Sequence, residues 1–209
     1  MKIRALGILL MLSNIALFYG CGGEPPTADL QAAEQALQRA RTAGAEKFAS
    51  SELNTAQSAY AAAKKEVDTE SEKLFKNFEK SNQLIAAAKT KAQGAESAAQ
   101  GAKSRAKSGA ESVISAAATA VSSAKANLDM APTGKGMEGD VDQLRADLGA
   151  AEADLSAARR AVSSEDFDGA KSKANSATQK ASQVDSGVAM AQDEYARRAE
   201  EARPWYEKI

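Results

Sequence analysis

Residues 147–162 read DLGAAEADLSAARRAV, and residues 29–43 read DLQAAEQALQRARTA; the two align as DLxAAExxLxxARxA. Residues 52–67, ELNTAQSAYAAAKKEV, repeat the same steps of acid, leucine and alanine. Three copies of one unit imply duplication, or one packing rule used three times. Within each copy the apolar residues recur alternately three and four apart, which puts them on one stripe of an α-helix. Leu30, Ala33, Leu37 and Ala40 make the first stripe, and Leu53, Ala56, Tyr60, Ala63 and Val67 the second. Val141, Leu144, Leu148, Ala151, Leu155, Ala158 and Val162 make the third. These are heptad a and d positions, the mark of helices packed side by side at a shallow angle. The pattern predicts an all-α protein, an elongated antiparallel bundle of coiled-coil hairpins.

Outward from these units, about five helices are predicted from the apolar periods and their start and stop signals. They cover 28–43, 51–67 and 70–128, then, after a loop at 129–139, a hairpin of 140–163 and 165–203. Thr27 ends the stiff EPPT tether at 24–27 and suits the first cap. Thr69 with Glu72, and Asp140 with Gln143, fit capping boxes, while Ser163 or Ser164 in VSSEDF can cap the last helix. In the third helix Leu74, Phe78, Ser81, Ile85, Ala88, Ala92, Ala95, Ala99, Ala102, Ala106, Gly109, Val113, Ala116 and Ala120 hold one register toward Leu128. At 1.5 Å per residue this helix would run about 90 Å. In the last, Phe167, Ala170, Ala174, Ala177, Ala181, Val184, Val188, Ala191 and Tyr195 hold register until Pro204.

Side-chain size along the long helix is uneven. Leu74, Phe78 and Ile85 can bury substantial area, whereas from Ala88 to Ala110 the seam offers mostly methyl groups and includes Gly94, Gly101 and Gly109 nearby. Each glycine costs about 0.5–1 kcal/mol against alanine in a helix interior. The middle of this helix should therefore exchange its amides faster than the regions near Phe78 or Leu148. Its small-residue face, with Gly94, Ala98 and Gly101 beside the seam, could take a second copy of the chain. The expected cover is instead intramolecular, from the helices after Asp140, because the connecting loop is short.

Composition removes most chemistry. Of 209 residues none is His and one is Cys, so a Ser-His-Asp triad, a Cys-His pair and His-based metal sites are excluded. Lys+Arg is 27 against Asp+Glu 28, a balance that by itself suggests neither a nucleic-acid partner nor an anionic membrane surface. Ser104 with Lys107 and Ser122 with Lys125 fit S-x-x-K, the nucleophile and base spacing of some acyl transferases, but without the accompanying motifs. PTGKG at 132–136 lacks the full phosphate-loop pattern. Asp140 with Asp142 and Asp166 with Asp168 could touch calcium, although helix first turns favour acids in any case. No catalytic residue, cofactor or metal is expected.

The chain opens MKIRALGILLMLSNIALFYGCGG, with Lys2 and Arg4 before an apolar stretch of about 5–18 and small residues at the exit. This is the layout of a secretory signal. It is shorter than the roughly twenty apolar residues of a membrane span and is interrupted by Ser13 and Asn14. Gly20 and Cys21 resemble a bacterial lipobox, in which cleavage before the cysteine precedes its acylation, palmitate being a typical chain. Phe18 and Tyr19 depart from that pattern, which prefers Leu and a small residue there. The expected division is a signal at 1–20, a lipidated Cys21 with its tether at 21–27, and the helices beyond. Gly22 follows the cysteine where similar lipoproteins kept in the inner membrane carry Asp, so the outer membrane, facing the periplasm, is the expected address.

The run PPTADLQAAEQALQRARTAGAEKFASSELNTAQSAYAAAKKEV resembles a family of alanine-rich bacterial envelope lipoproteins with an N-terminal helical domain of unknown function. The likeness covers about 25–92 and implies an envelope lipoprotein of helical-repeat type, with no catalytic or ligand residues. The tail RPWYEKI at 203–209 holds the only Trp; Trp205 and Tyr206 could dock an envelope protein partner or fold back on the last hairpin. The expected function is a non-catalytic helical scaffold, spacer or adaptor, held to the bilayer through acylated Cys21. The alternative is a stress protectant similar to late-embryogenesis-abundant proteins, suggested by AKTKAQGAESAAQGAKSRAKSGAESV at 88–113. Those proteins follow an 11-residue repeat, whereas here the period is seven. An enzyme is a distant third reading.

Overall fold

The computed structural model describes residues 23–132 and 138–203. Among them it is all α, in the order α1 (Thr27–Thr42), α2 (Ala45–Phe48), α3 (Ser50–Ser71), α4 (Glu79–Asp129), α5 (Glu138–Ser163) and α6 (Phe167–Ala202). The all-helical bundle expected from the heptads is the observed fold. The chain divides into two compact units, through Lys103 and from Ser104 onward, so the boundary falls inside α4.

In the first unit α1 and the first part of α4 run parallel, and α3 packs antiparallel to both. At the α2 end, Leu37, Ala40, Leu53 and Ala56 close on Ala92, Ala95 and Ala99. At the other end Ala33, Ala63 and Val67 meet Phe78, Ile85 and Ala88. Alanines facing alanines let the helix axes approach closely, and the leucines fill what remains. Ala92, Ala95 and Ala99 of the alanine seam are thus covered by α1, α2 and α3, while Gly94 beside them is exposed. Two inter-helix ion pairs flank it, Arg39 with Glu96 at 3.7 Å and Lys80 with Glu66 at 3.0 Å. The added turn α2 follows Gly44, whose φ of 87° is left-handed backbone that glycine adopts without cost.

In the second unit Val141, Leu148, Ala151, Leu155 and Ala158 of α5 are buried together with the stripe Phe167 to Ala191 of α6. α4 contributes Ala110, Ile114, Ala117, Val121, Ala124 and Leu128. Asn127 donates to Asp185 across α4 and α6 at 2.8 Å. Leu144 and Val162 are half-buried, and Tyr195, expected in the stripe, is 50% exposed.

Several local expectations are corrected. α3 runs on through Ser71, and the Thr69 hydroxyl donates back to the Lys65 carbonyl, so Thr69 and Glu72 form no capping box. The start of α4 is set instead by Asn77, whose side-chain oxygen accepts from Glu79 N at 3.0 Å. Residues 72–78 are a loop, and Leu74, expected in the seam, is 90% exposed. Pro26, not Thr27, precedes α1. α5 starts at Glu138, ahead of Asp140, and Gln143 donates to Asp147. Ser163 and Ser164 bond back to Arg159 and Arg160, while Asp166 caps α6 by accepting from Gly169 N at 3.1 Å. Between α5 and α6, Glu165 takes φ 59°, and Asp166 N and Glu165 N bond to Ala161 O and Val162 O, a Schellman closure built without glycine.

The register of α4 also shifts. Phe78, Ser81, Ile85, Ala88, Ala92, Ala95 and Ala99 are buried as expected, but the buried series then resumes at Ala110 and Ile114 rather than Gly109 and Val113. The step from Ala99 to Ala110 is one 11-residue spacing between heptads, and no residue from 100 to 109 is buried. A straight helix drifts about 20° per heptad, and one wider step restores its phase.

Candidate functional site

Cys21, Trp205 and Tyr206 lie outside the described residues, as does the apolar stretch 1–20. Gly23, two residues past Cys21, is described, and it lies against Phe78: a Cβ built on it would be 3.5 Å from Phe78 Cδ2. Phe78 is itself buried with Leu30, Ala33 and Val67, so the tether enters at the end of the first unit where α1 starts, α3 stops and α4 begins. Pro25 O accepts from Thr27 N and Pro26 O from Leu30 N, which fixes how EPPT turns into α1.

The loop at this same end is pinned by Glu70. Its buried carboxylate takes the Lys73 ammonium and accepts from Asn77 N at 3.4 Å. The hydrogen bond from Lys73 holds the Glu70 carboxyl below its ordinary range, against the opposing effect of burial. Between these anchors Leu74 and Phe75 stand out at 90% and 81% exposure, with Lys73 and Lys76 on either side. Sequence reasoning missed this feature because Leu74 fits the heptad; the stronger signal was KLFK, two lysines around an apolar pair that only one of two faces could bury.

A second polar cluster ties α5 to α6. Asp154 of α5 accepts from Lys180 Nζ at 2.6 Å, Ser176 Oγ at 2.8 Å and Lys173 Nζ at 3.4 Å, all on α6. Lys180 and then Ser176 bring its carboxyl down to about 2. The sequence held a clue in Lys173 and Lys180, one heptad apart beside the α6 stripe. Of the S-x-x-K pairs, Ser104 and Ser122 are exposed, and Lys107 and Lys125 face Glu111 at 3.8 Å and Glu152 at 3.9 Å.

The acid pairs also have helix duties: Asp142 binds Arg145 at 2.8 Å, Asp166 caps α6, and Asp168 faces Lys171 at 3.6 Å. Among the described residues no group of three or more metal-binding side chains converges, and no helix is long and apolar enough to cross a membrane. Of PTGKG only Pro132 is described. A groove of about 490 Å³ borders Leu144, Gly187, Met190 and Glu194 and is open to solvent. Comparison with protein-family models, with curated proteins and with solved structures finds no match to this chain.

Proposed function

We propose that the chain is a non-catalytic envelope lipoprotein, acylated at Cys21, whose helical units act as a membrane-tethered scaffold, spacer or adaptor in the periplasm. The observation that carries the reading is the junction: an apolar signal-like run ends in GCGG, and within two residues of the cysteine the chain is seated against Phe78. Such a short link would hold the first unit close to the bilayer. Several acyl chains anchor firmly, each buried CH₂ contributing about 0.8 kcal/mol. The alanine cores support a structural role, since they leave few side chains over for chemistry.

Cys21→Ala in a bacterial host, followed by membrane fractionation and intact-mass measurement, tests this. The wild type should carry diacylglyceryl and fatty acyl mass on a chain beginning at residue 21, and the variant should carry none and keep residues 1–20. A variant still held in the membrane by the same processed end would refute the reading. Circular dichroism in dilute buffer separates the scaffold, which should be helical and melt cooperatively, from the protectant, which should read as coil.

A further inference from the structure

We infer that the 72–77 loop is a second membrane contact, in which Leu74 and Phe75 enter a phospholipid surface while Lys76 meets its anionic headgroups. The inference rests on the proposed acyl anchor and extends it, from one point of attachment to two.

Large apolar side chains at 90% and 81% exposure are costly to leave in water, and an adjacent pair at a loop tip calls for a partner. The loop holds them outward by construction. Glu70 binds Lys73 and Asn77 N, and Asn77 caps α4, so the segment is fastened at both ends and the pair cannot be absorbed into the core. The chemistry around the pair selects the occupant. A leucine and an aromatic ring followed by Lys76 match the boundary of a bilayer, where rings settle at headgroup depth and a lysine reaches the phosphates.

Position selects it too. Phe78, three residues after Phe75, is the side chain against which Gly23 rests, so the tether and the loop leave the first unit at one end. An acyl group on Cys21 would bring the bilayer to that end and no other. The opposite end of the α1 and α3 pair, at α2, presents Glu46 and Lys47 instead.

The test uses the full acylated chain, with Trp205→Phe, reconstituted with mixed phosphatidylcholine and phosphatidylglycerol vesicles whose acyl chains are brominated. Phe75→Trp places an indole reporter in the loop, and Glu46→Trp places one at the α2 end; both positions are exposed, so neither variant disturbs a core. Flotation reports anchoring separately. The expected result is that both proteins float. Emission from the loop reporter should shift to the blue and be largely lost on brominated lipid, while emission from the α2-end reporter should be the same on brominated and ordinary lipid. Floating protein with an unquenched loop reporter overturns the loop contact and leaves the acyl anchor standing. A loop reporter that is blue-shifted but unquenched means a protein pocket holds the loop, and equally overturns it. Protein that fails to float overturns the anchor, and with it the loop contact that depends on it.

Discussion

Ser81 sits fully buried in the α4 stripe between Phe78 and Ile85, and its hydroxyl has no hydrogen-bond partner among the described residues. Replacing it with alanine should therefore stabilise the first unit. Two contributions add. A buried hydroxyl without a partner costs about 1–2 kcal/mol of lost hydration. Serine is also a poorer helix former than alanine by about 0.5 kcal/mol. Against this stands the loss of one oxygen's packing between Phe78 and Ile85, which is small beside the two gains.

The control is Ser97→Ala on the same helix, a position outside the buried stripe that changes chiefly helix propensity. Ser97→Ala should gain about 0.5 kcal/mol, and Ser81→Ala about 1.5–2.5 kcal/mol. In a unit of this size 1 kcal/mol moves Tm by about 4–8 °C, so Ser81→Ala should raise the first unit's transition by roughly 6–20 °C. Differential scanning calorimetry, which separates the transitions of the two units, is the assay. If Ser81→Ala gains no more than Ser97→Ala, or melts lower than the wild type, the hydroxyl is satisfied in solution and the reasoning is refuted.

Further perturbations probe the second unit and the middle of α4. A Cβ on Gly187 would fall inside van der Waals contact of Leu144 Cδ2, a displacement costing about 1–3 kcal/mol that is partly offset by about 0.5–1 kcal/mol of helix propensity, so Gly187→Ala should lower the second unit's stability by up to about 2.5 kcal/mol in chemical denaturation; an unchanged or higher midpoint would mean that Leu144 swings clear. Asp154 titrates at about 2 in the folded chain against an ordinary value of 3.8, so its stabilisation is complete above about pH 4 and is lost as pH falls through about 2. Because the site lies at the solvent edge of the helix pair, screening reduces the effect to about 1 kcal/mol. Asp154→Asn should remove that part of the acid sensitivity, and urea melts at pH 2 and pH 5 would show a wild-type difference shrinking in the variant. Amides from 100 to 109, where no side chain is buried, should exchange faster by mass spectrometry than those around Phe78 or Leu148; uniform protection along α4 would contradict this.

Repeats with a three-four spacing can only bury their apolar stripe against other helices, so the all-α class and nearly every buried position of α1, α3, α5 and α6 were legible in the chain. What sequence alone could not settle was phase and termination. Between Ala88 and Ala120 alanines occur on several faces of α4, so sliding the register by one residue costs nothing that the pattern can reveal. Packing made the choice: the phase with Ile114, Val121 and Leu128 inside buries larger side chains than the phase with Val113, Ala116 and Ala120. Termination was likewise decided by tertiary contacts. Thr69 and Glu72 offered a cap on paper, but Glu70 is buried and binds Lys73 and Asn77 N, which draws α3 past Thr69 and opens the loop before α4. That three-dimensional choice turned Leu74 and Phe75 outward, beside the entry of the tether whose cysteine the sequence had already singled out. A heptad records which residues prefer to be hidden, but only the neighbouring helices decide which of them find room.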